Sequence, residues 1–189
     1  MPIVRWSIAM LVLRTAGGTA QPAVSAAELA TGKVWFDGRA TVGNFTGTTT
    51  TVSGHLSGGP SLDEVRGWVE VPVATLRTGN DRRDRDLRKS MEADRLPTIR
   101  FELARVMVGA RTGDTTTVSL EGTFTIHGVA RKVAMPATVV QSDRYHVQAR
   151  TPLNLKDYAI GGLSKMLGIL KMYEDIVVGV DLVFRPVPE

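Results

Sequence analysis

The residues of this chain best equipped for chemistry are its three histidines. His55, His127 and His146 stand far apart, so no two of them have the spacing of metal ligands. The chain has no cysteine, which excludes disulfides, thiolate metal sites and thiol catalysis. Neither a nucleophile elbow nor a phosphate loop occurs. We therefore expect no enzyme activity, no cofactor and no metal ion, and a spatially assembled site is the remaining route to catalysis.

A stretch of charged residues is the second candidate for chemistry. Residues 76–90, "LRTGNDRRDRDLRKS", combine six basic and three acidic side chains. Thr78 or Asn80 can cap a helix that begins there. Asp81–Arg85 and Asp84–Arg88 are then spaced i,i+4, with the acidic residue first. This pattern predicts a solvated, self-neutralising helix face, and its buried side is predicted from three residues: Leu76, Leu87 and Met91.

The charged stretch is a poor site for nucleic acid or for acid–base catalysis. Acidic residues interrupt the basic stripe, and no aromatic residue is interleaved with it. Carboxylates among arginines stay ionised, since no apolar surroundings raise their pKa. We expect no nucleic-acid partner.

The first 26 residues are typical of a secretory signal. Arg5 precedes a short apolar run, and small residues permit cleavage after Ala20 or Ala26. The alternative is a frayed extension ahead of the domain at 27–189. Removal of Arg5 and Arg14 lowers the formal charge from +4 to +2, with 21 basic and 19 acidic residues left. We expect a periplasmic or secreted protein.

The rest of the chain must supply the elements that carry any site, and its dominant period is two. Apolar and polar residues alternate in four clear segments and four weaker ones, which predict about eight strands. The clear segments are 64–76, 98–109, 115–128 and 174–186, and the weaker ones are 33–42, 45–57, 129–140 and 143–152. Consecutive one-sided strands with short turns predict an antiparallel barrel or a two-sheet sandwich.

Residues 153–173 break this alternation and show a partial helical spacing interrupted by glycines. The apolar part at 159–172 contains Met166 and is flanked by Lys165 and Lys171. It could be a lid over a barrel mouth, an edge that touches a membrane, or a loop packed under the barrel.

The inward faces of the strands could enclose a ligand or fill the barrel. Both outcomes fit an eight-stranded barrel, and the residues alone favour the filled one. The candidate lumen residues are Val69, Val71, Phe101, Leu120, Phe124, Ile126, Val180 and Phe184, and Tyr158 and Met166 are added from the segment at 153–173.

Four motifs give the chain a family resemblance. They are "VPVATLRTGNDRRDRDLR" at 71–88, "RLPTIRFE" at 95–102, "VSLEGTFTIHGVARKVAMP" at 118–136 and "LNLKDYAIG" at 153–161. In this order they are similar to the motifs of the YceI family, over roughly residues 32–186. Leu96 and Ala159 depart from that pattern, since an aromatic residue and a glycine often stand there.

The resemblance implies an all-β fold, an eight-stranded antiparallel lipocalin-like barrel with one or two short helices. It also implies a lumen that holds a long isoprenoid chain, export to the periplasm, and no catalysis. The named residues would then contact a polyprenyl or quinone-type lipid, for transport, storage or stress protection. Homodimerisation and peripheral membrane contact are left open. The competing hypothesis is a structural or interaction barrel with a filled core and no ligand.

Overall fold

The computed structural model describes residues 26–41, 43–59, 61–161, 164–165 and 170–187. Apart from Ala26, the predicted signal segment lies outside these residues. The described residues form one α-helix, α1 (Asp81–Ser90), and three 3-10 helices at Leu62–Glu64, Val73–Thr75 and Leu155–Tyr158. The strands are β1 (Ala26–Ala40), β2 (Gly43–Thr49), β3 (Ser53–Ser57), β4 (Arg66–Pro72), β5 (Thr98–Thr112), β6 (Thr115–Ile126), β7 (Val129–Gln141), β8 (Tyr145–Asn154), β9 (Ser164–Lys165), β10 (Leu170–Lys171) and β11 (Asp175–Pro186).

The large sheet closes on itself as a barrel. Its strands follow one another antiparallel from β3 to β8, β8 pairs with β11, and β11 pairs with β1. β2 and β3 lie one after the other along β1, because Phe36 pairs with Gly47 and Ala27 pairs with Leu56. They occupy a single place in the barrel, which therefore has eight strands. The prediction of an eight-stranded antiparallel barrel is confirmed.

The two-residue period of the sequence matches the alternation between the wall's two faces. Along β6, Leu120, Gly122, Phe124 and Ile126 are buried, and the residues that alternate with them are less so. Successive side chains of a strand point to opposite faces, so these residues share the inner face. Apolar side chains from every strand of the barrel thus converge on one interior.

Helix α1 crosses one end of the barrel in the connection from β4 to β5. The side chain of Asn80 caps it, accepting a hydrogen bond of 3.0 Å from the backbone nitrogen of Arg83. Before the helix, Arg77 and Thr48 exchange two backbone hydrogen bonds of 2.8 and 2.9 Å, which hold this connection against β2. We call this the helix end, and the opposite end, where β8 begins at Tyr145, the far end.

The segment at 153–173 does not form the helix that its partial helical spacing indicates, as far as it is described. After Asn154 it makes a short 3-10 turn at Leu155–Tyr158, which ends at Ala159 with φ of 56°. β9 and β10 then pair antiparallel as a separate two-residue ribbon. Met172 forms a bridge to Ala40, which brings the end of this segment to the helix end of the barrel.

Candidate functional site

The barrel encloses an elongated cavity of about 930 Å³. Its walls are largely apolar, with contributions from β1, β4, β5, β6, β7, β8 and β11. Exposed residues appear in its lining at the helix end, namely Thr41, Asn80, Arg82, Lys89 and Gly161. The cavity therefore reaches the surface at the helix end.

The interior is hollow rather than filled. Val69, Leu103 and Val180 point inward and line the cavity, yet each keeps a partly accessible side chain. In a densely filled barrel such residues would be fully buried, because protein interiors leave few voids larger than a water molecule. A cavity of this size lies near the upper end of the range for small-molecule sites.

Eight of the ten predicted site residues line this cavity. They are Val69, Val71, Phe101, Leu120, Phe124, Ile126, Val180 and Phe184. Phe101 and Phe124 are cross-strand partners with ring centroids 5.1 Å apart, so they form a firm section of wall. The contact of these residues with a ligand stays a prediction.

The other two predicted site residues are placed differently. Tyr158 is only 1% exposed, but it does not belong to the lining of the cavity. Met166 lies outside the described residues, as do the side chains of Lys165 and Lys171. A lid or membrane role for this segment stays a prediction.

Several lining residues were missed because they lie on strands with weaker alternation. Val139 on β7 and Tyr145 and Val147 on β8 belong to the lining, as do Val34 and Phe36 on β1. The signal was present in segments 33–42, 129–140 and 143–152, where apolar residues recur at alternate positions with interruptions such as Arg131 and Thr151. Those strands were predicted, but few of their inward residues were named.

Helix α1 contributes polar side chains to the opening of the cavity at the helix end, which we call the mouth. The prediction of a solvated helix face did not indicate this contribution. Arg82, Arg83, Asp86 and Lys89 all belong to the lining. Arg83 donates from Nε to Thr78 Oγ1 over 2.9 Å, and its guanidinium lies 4.4 Å from the ring centre of Phe45. The mouth of an apolar cavity is thus bordered by cations, and one of them, Arg83, is held in place.

Asp84 is buried, so its predicted place on the solvated helix face was wrong. Its side chain is 3% exposed, and Oδ1 accepts hydrogen bonds from the Thr78 backbone nitrogen over 2.8 Å and from Thr78 Oγ1 over 2.6 Å. Burial alone would raise the pKa of Asp84, but these two bonds, with the charges of Arg77 and Arg88, outweigh it and the pKa lies below its ordinary value. Asp84 fixes the turn that leads into α1.

His127 ties three segments together at the helix end. Its Nδ1 lies 3.2 Å from the Tyr158 carbonyl oxygen, and its Nε2 lies 3.3 Å from Oε1 of Glu92. Glu92, His127 and Ala159 are the non-glycine residues with positive φ in the described part of the chain. Since Ala159 follows Tyr158, all three strained positions meet at this junction. His127 itself lies in the turn between β6 and β7, and its contacts are those of a structural tie.

The described side chains include no group of three or more His, Cys, Asp or Glu residues placed to hold a metal ion. Within the same part of the chain, no helix has the length and apolar character needed to cross a membrane.

Comparisons with known proteins agree with this geometry. A search of curated proteins found no match to the chain. Among solved structures, the fold is similar to BcnA of Burkholderia cenocepacia, with a TM-score of 0.67 and 18% identity over 80% of this chain and 95% of that chain. It is also similar to a polyisoprenoid binding domain from Saccharophagus degradans, with a TM-score of 0.69 and 17% identity over 87% and 99% of the two chains.

A third similar structure is the YceI protein of Campylobacter jejuni, with a TM-score of 0.60 and 17% identity over 76% of this chain and 85% of that chain. At such identities the solved structures share the fold alone. The sequence itself matches a family model described as a YceI-like domain over residues 22–184, which is most of the chain. This protein therefore belongs to the YceI-like family.

Proposed function

We propose that this protein binds one long-chain isoprenoid lipid, of polyprenyl or quinone type, in the cavity of its barrel. The observation that carries the proposal is the hollow apolar lumen of about 930 Å³, which reaches the surface at the helix end. An apolar chain gains roughly 25 cal/mol for each Å² of surface that it removes from water. The family supports the proposal, since a similar structure from Saccharophagus degradans is described as a polyisoprenoid binding domain.

The shape of the cavity favours a long chain over a compact ligand. β8 runs the length of the barrel with ten residues, which at about 3.3 Å per residue is roughly 30 Å. A filled interaction barrel, the competing hypothesis, would lack the space that Val69, Leu103 and Val180 border. Binding without catalysis is the activity that we propose, in the service of transport, storage or stress protection.

The test is to purify the protein from a host that makes isoprenoid lipids, extract it with organic solvent and analyse the extract by mass spectrometry. We expect about one long-chain isoprenoid per protein. In Val180→Trp the larger side chain enters the lumen, so the amount of lipid should fall severalfold. Val177→Trp is the matched control, because Val177 lies three residues away on the outer face of β11. An empty wild-type extract that also fails to bind added polyprenyl lipid contradicts the proposal.

We further propose that the protein is exported and that cleavage follows Ala20 rather than Ala26. Cleavage after Ala26 would place a charged amino terminus on Ala27, which is fully buried in β1. The family match, which begins at residue 22, supports the earlier position. The intact mass of the protein from a periplasmic fraction distinguishes the two positions, and a full-length mass there contradicts export with cleavage.

A further inference from the structure

Tyr145 is a polar residue at the innermost part of the proposed lipid site. It is the first residue of β8 and pairs with Phe184 of β11 and Gln141 of β7. It lines the cavity and is only 6% exposed. The exposed lining residues are at the helix end, roughly 30 Å away along β8, so Tyr145 lies at the closed end.

The hydroxyl group of Tyr145 has no hydrogen-bond partner among the described residues. Of the lining residues with a hydroxyl group, the other two, Thr41 and Ser90, both lie at the helix end. Around Tyr145 the far end is lined by apolar side chains, namely Leu56, Leu62, Val65, Val139 and Val147. Tyr145 is therefore an isolated donor in an apolar surrounding.

A second unpartnered hydroxyl lies in the same half of the barrel. Thr116 on β6 is 2% exposed, and its Oγ1 is the one buried side-chain polar atom without a partner in the described part of the chain. Thr116 pairs with Val139, which in turn pairs with Val147, two residues from Tyr145. The far half of the barrel thus has more hydrogen-bonding capacity than its own side chains use.

Thr116 does not line the cavity, so the hydroxyl of this half that a ligand can meet is that of Tyr145. The Tyr145 hydroxyl can meet water while the cavity is empty, but a ligand that displaces this water buries the hydroxyl, and a buried hydroxyl without a partner costs free energy. A pure hydrocarbon tail offers no acceptor. Burial raises the pKa of the Tyr145 phenol, so the group stays a protonated donor at neutral pH.

We propose that Tyr145 determines ligand specificity by donating a hydrogen bond to a neutral oxygen on the end of the isoprenoid that reaches the far end. This inference rests on the proposed function and deepens it. The ligand enters with its oxygen-bearing head first, and that head is a carbonyl or hydroxyl, as in a quinone or an alcohol. A phosphorylated head does not fit there, because the cations of the lining, Arg82, Arg83 and Lys89, all lie on α1 at the helix end.

The test compares two ligands that share an isoprenoid chain of about six units. One carries a quinone head and the other is the plain hydrocarbon. Tyr145→Phe removes only the hydroxyl, so we expect quinone affinity to fall about five- to tenfold while hydrocarbon affinity stays the same or rises. The infrared carbonyl band of the bound quinone should also move toward its unbonded position in the variant. Tyr158→Phe is the matched control, because Tyr158 is buried but does not line the cavity.

The outcomes separate this inference from the function on which it rests. The role of Tyr145 is overturned if Tyr145→Phe changes the affinities for the quinone and the hydrocarbon by the same factor, or changes neither. Both results leave lipid binding intact. That role is also overturned if Tyr158→Phe lowers the quinone affinity by the same factor. It is overturned as well if the wild-type protein prefers a phosphorylated isoprenoid to the quinone and Tyr145→Phe lowers both affinities by the same factor. Failure of the wild-type protein to bind either ligand overturns the proposed function, and the inference with it.

Discussion

The carboxylate of Asp84 is the one buried charged side chain in the described part of the chain, and it holds the turn before α1. Both of its hydrogen bonds come from Thr78, which also accepts from Arg83, whose guanidinium lies over Phe45 at the cavity mouth. This single acidic group thus positions a cation of the mouth through Thr78. Hydrogen bonds to an ionised acceptor are roughly twice as strong as neutral ones.

Asp84→Asn should lower the free energy of unfolding by about 1 kcal/mol at pH 7, since it replaces charge-assisted hydrogen bonds by neutral ones. The pKa of Asp84 is lowered on folding, so its stabilisation is present at neutral pH and is lost as the pH falls from 3.8 through the lower folded value. The difference between variant and wild type should therefore shrink in acid.

Urea unfolding at pH 7 and at pH 3 measures this change. Asp81→Asn is the control, because Asp81 is exposed on the same helix and should alter stability by less than about 0.5 kcal/mol. If the difference in free energy of unfolding between Asp84→Asn and the wild type is the same at pH 7 and at pH 3, the stabilising role of the Asp84 carboxylate is contradicted.

β5 is the element whose surroundings depart most from a regular barrel strand. β4 pairs with it only as far as Leu103, although β5 continues to Thr112. Beyond Leu103 no strand in the described part of the chain pairs with its β4 side, and Met107 and Val108 are exposed. Two register irregularities and the exposed Arg105 and Arg111 accompany this unpaired edge, and the 3-10 helix at Leu62–Glu64 packs against part of β5. Bulges and charges are common protections of an edge against pairing with another chain.

The double variant Arg105→Val and Arg111→Val should self-associate more strongly than wild type, because it removes the charges that protect the edge of β5. Analytical ultracentrifugation over a range of concentrations measures this. The control, Lys132→Val with Arg144→Val, removes the same charge from exposed positions on β7 and its following turn. Equal association of both variants would show that net charge, rather than the edge, is responsible. Homodimerisation of the wild type stays a prediction.

The elements were predictable to different degrees, for physical reasons. The strands were found because burial on one face imposes a period of two, as along β6. The rotation of α1 about its own axis was not predicted. The i,i+4 charge pairs occur on several of its faces, and only tertiary contact buries Asp84. The unpaired edge of β5 was missed because it depends on where β4 ends. For the segment at 153–173 the sequence left a lid, a membrane edge and a packed loop open, because spacing over a glycine-rich stretch is a weak indication of structure.

The whole barrel decides whether its apolar interior is a core or a cavity. The inward residues were mostly identifiable from the sequence, for example Phe101, Leu120 and Phe124. The space between them depends on strand number and tilt, which set the radius of a barrel and are not encoded in any single strand. The family resemblance, rather than the residues alone, therefore pointed to the hollow lumen.

The volume of the lumen should set the length of chain that binds best. At roughly 30 Å³ for a group of the size of water, about 930 Å³ holds on the order of thirty carbon-sized groups, or about six isoprene units. At about 0.3 kcal/mol per non-hydrogen atom, each five-carbon unit adds about 1.5 kcal/mol, or roughly tenfold in affinity.

Dissociation constants for a series of isoprenoids with one head group should therefore fall with each added unit and level off near six. Titration of tryptophan fluorescence measures the series. A constant affinity across all lengths would contradict enclosure of the chain. The Val180→Trp variant, with a shortened lumen, should level off at fewer units than the Val177→Trp control.

The seam between β1 and β11 joins the first and last strands, from Ala27 with Pro186 to Asp37 with Val177. Its contacts span nearly the whole sequence, and such distant pairings make folding slow. No barrel can close on a partial chain, because β1 finds one of its two neighbours only in the final strand. A chain that ends early keeps two open sheet edges and an uncovered apolar interior, which makes it a substrate for proteases and aggregation. The barrel can therefore enclose a lipid only after the last strand, β11, has paired with β1.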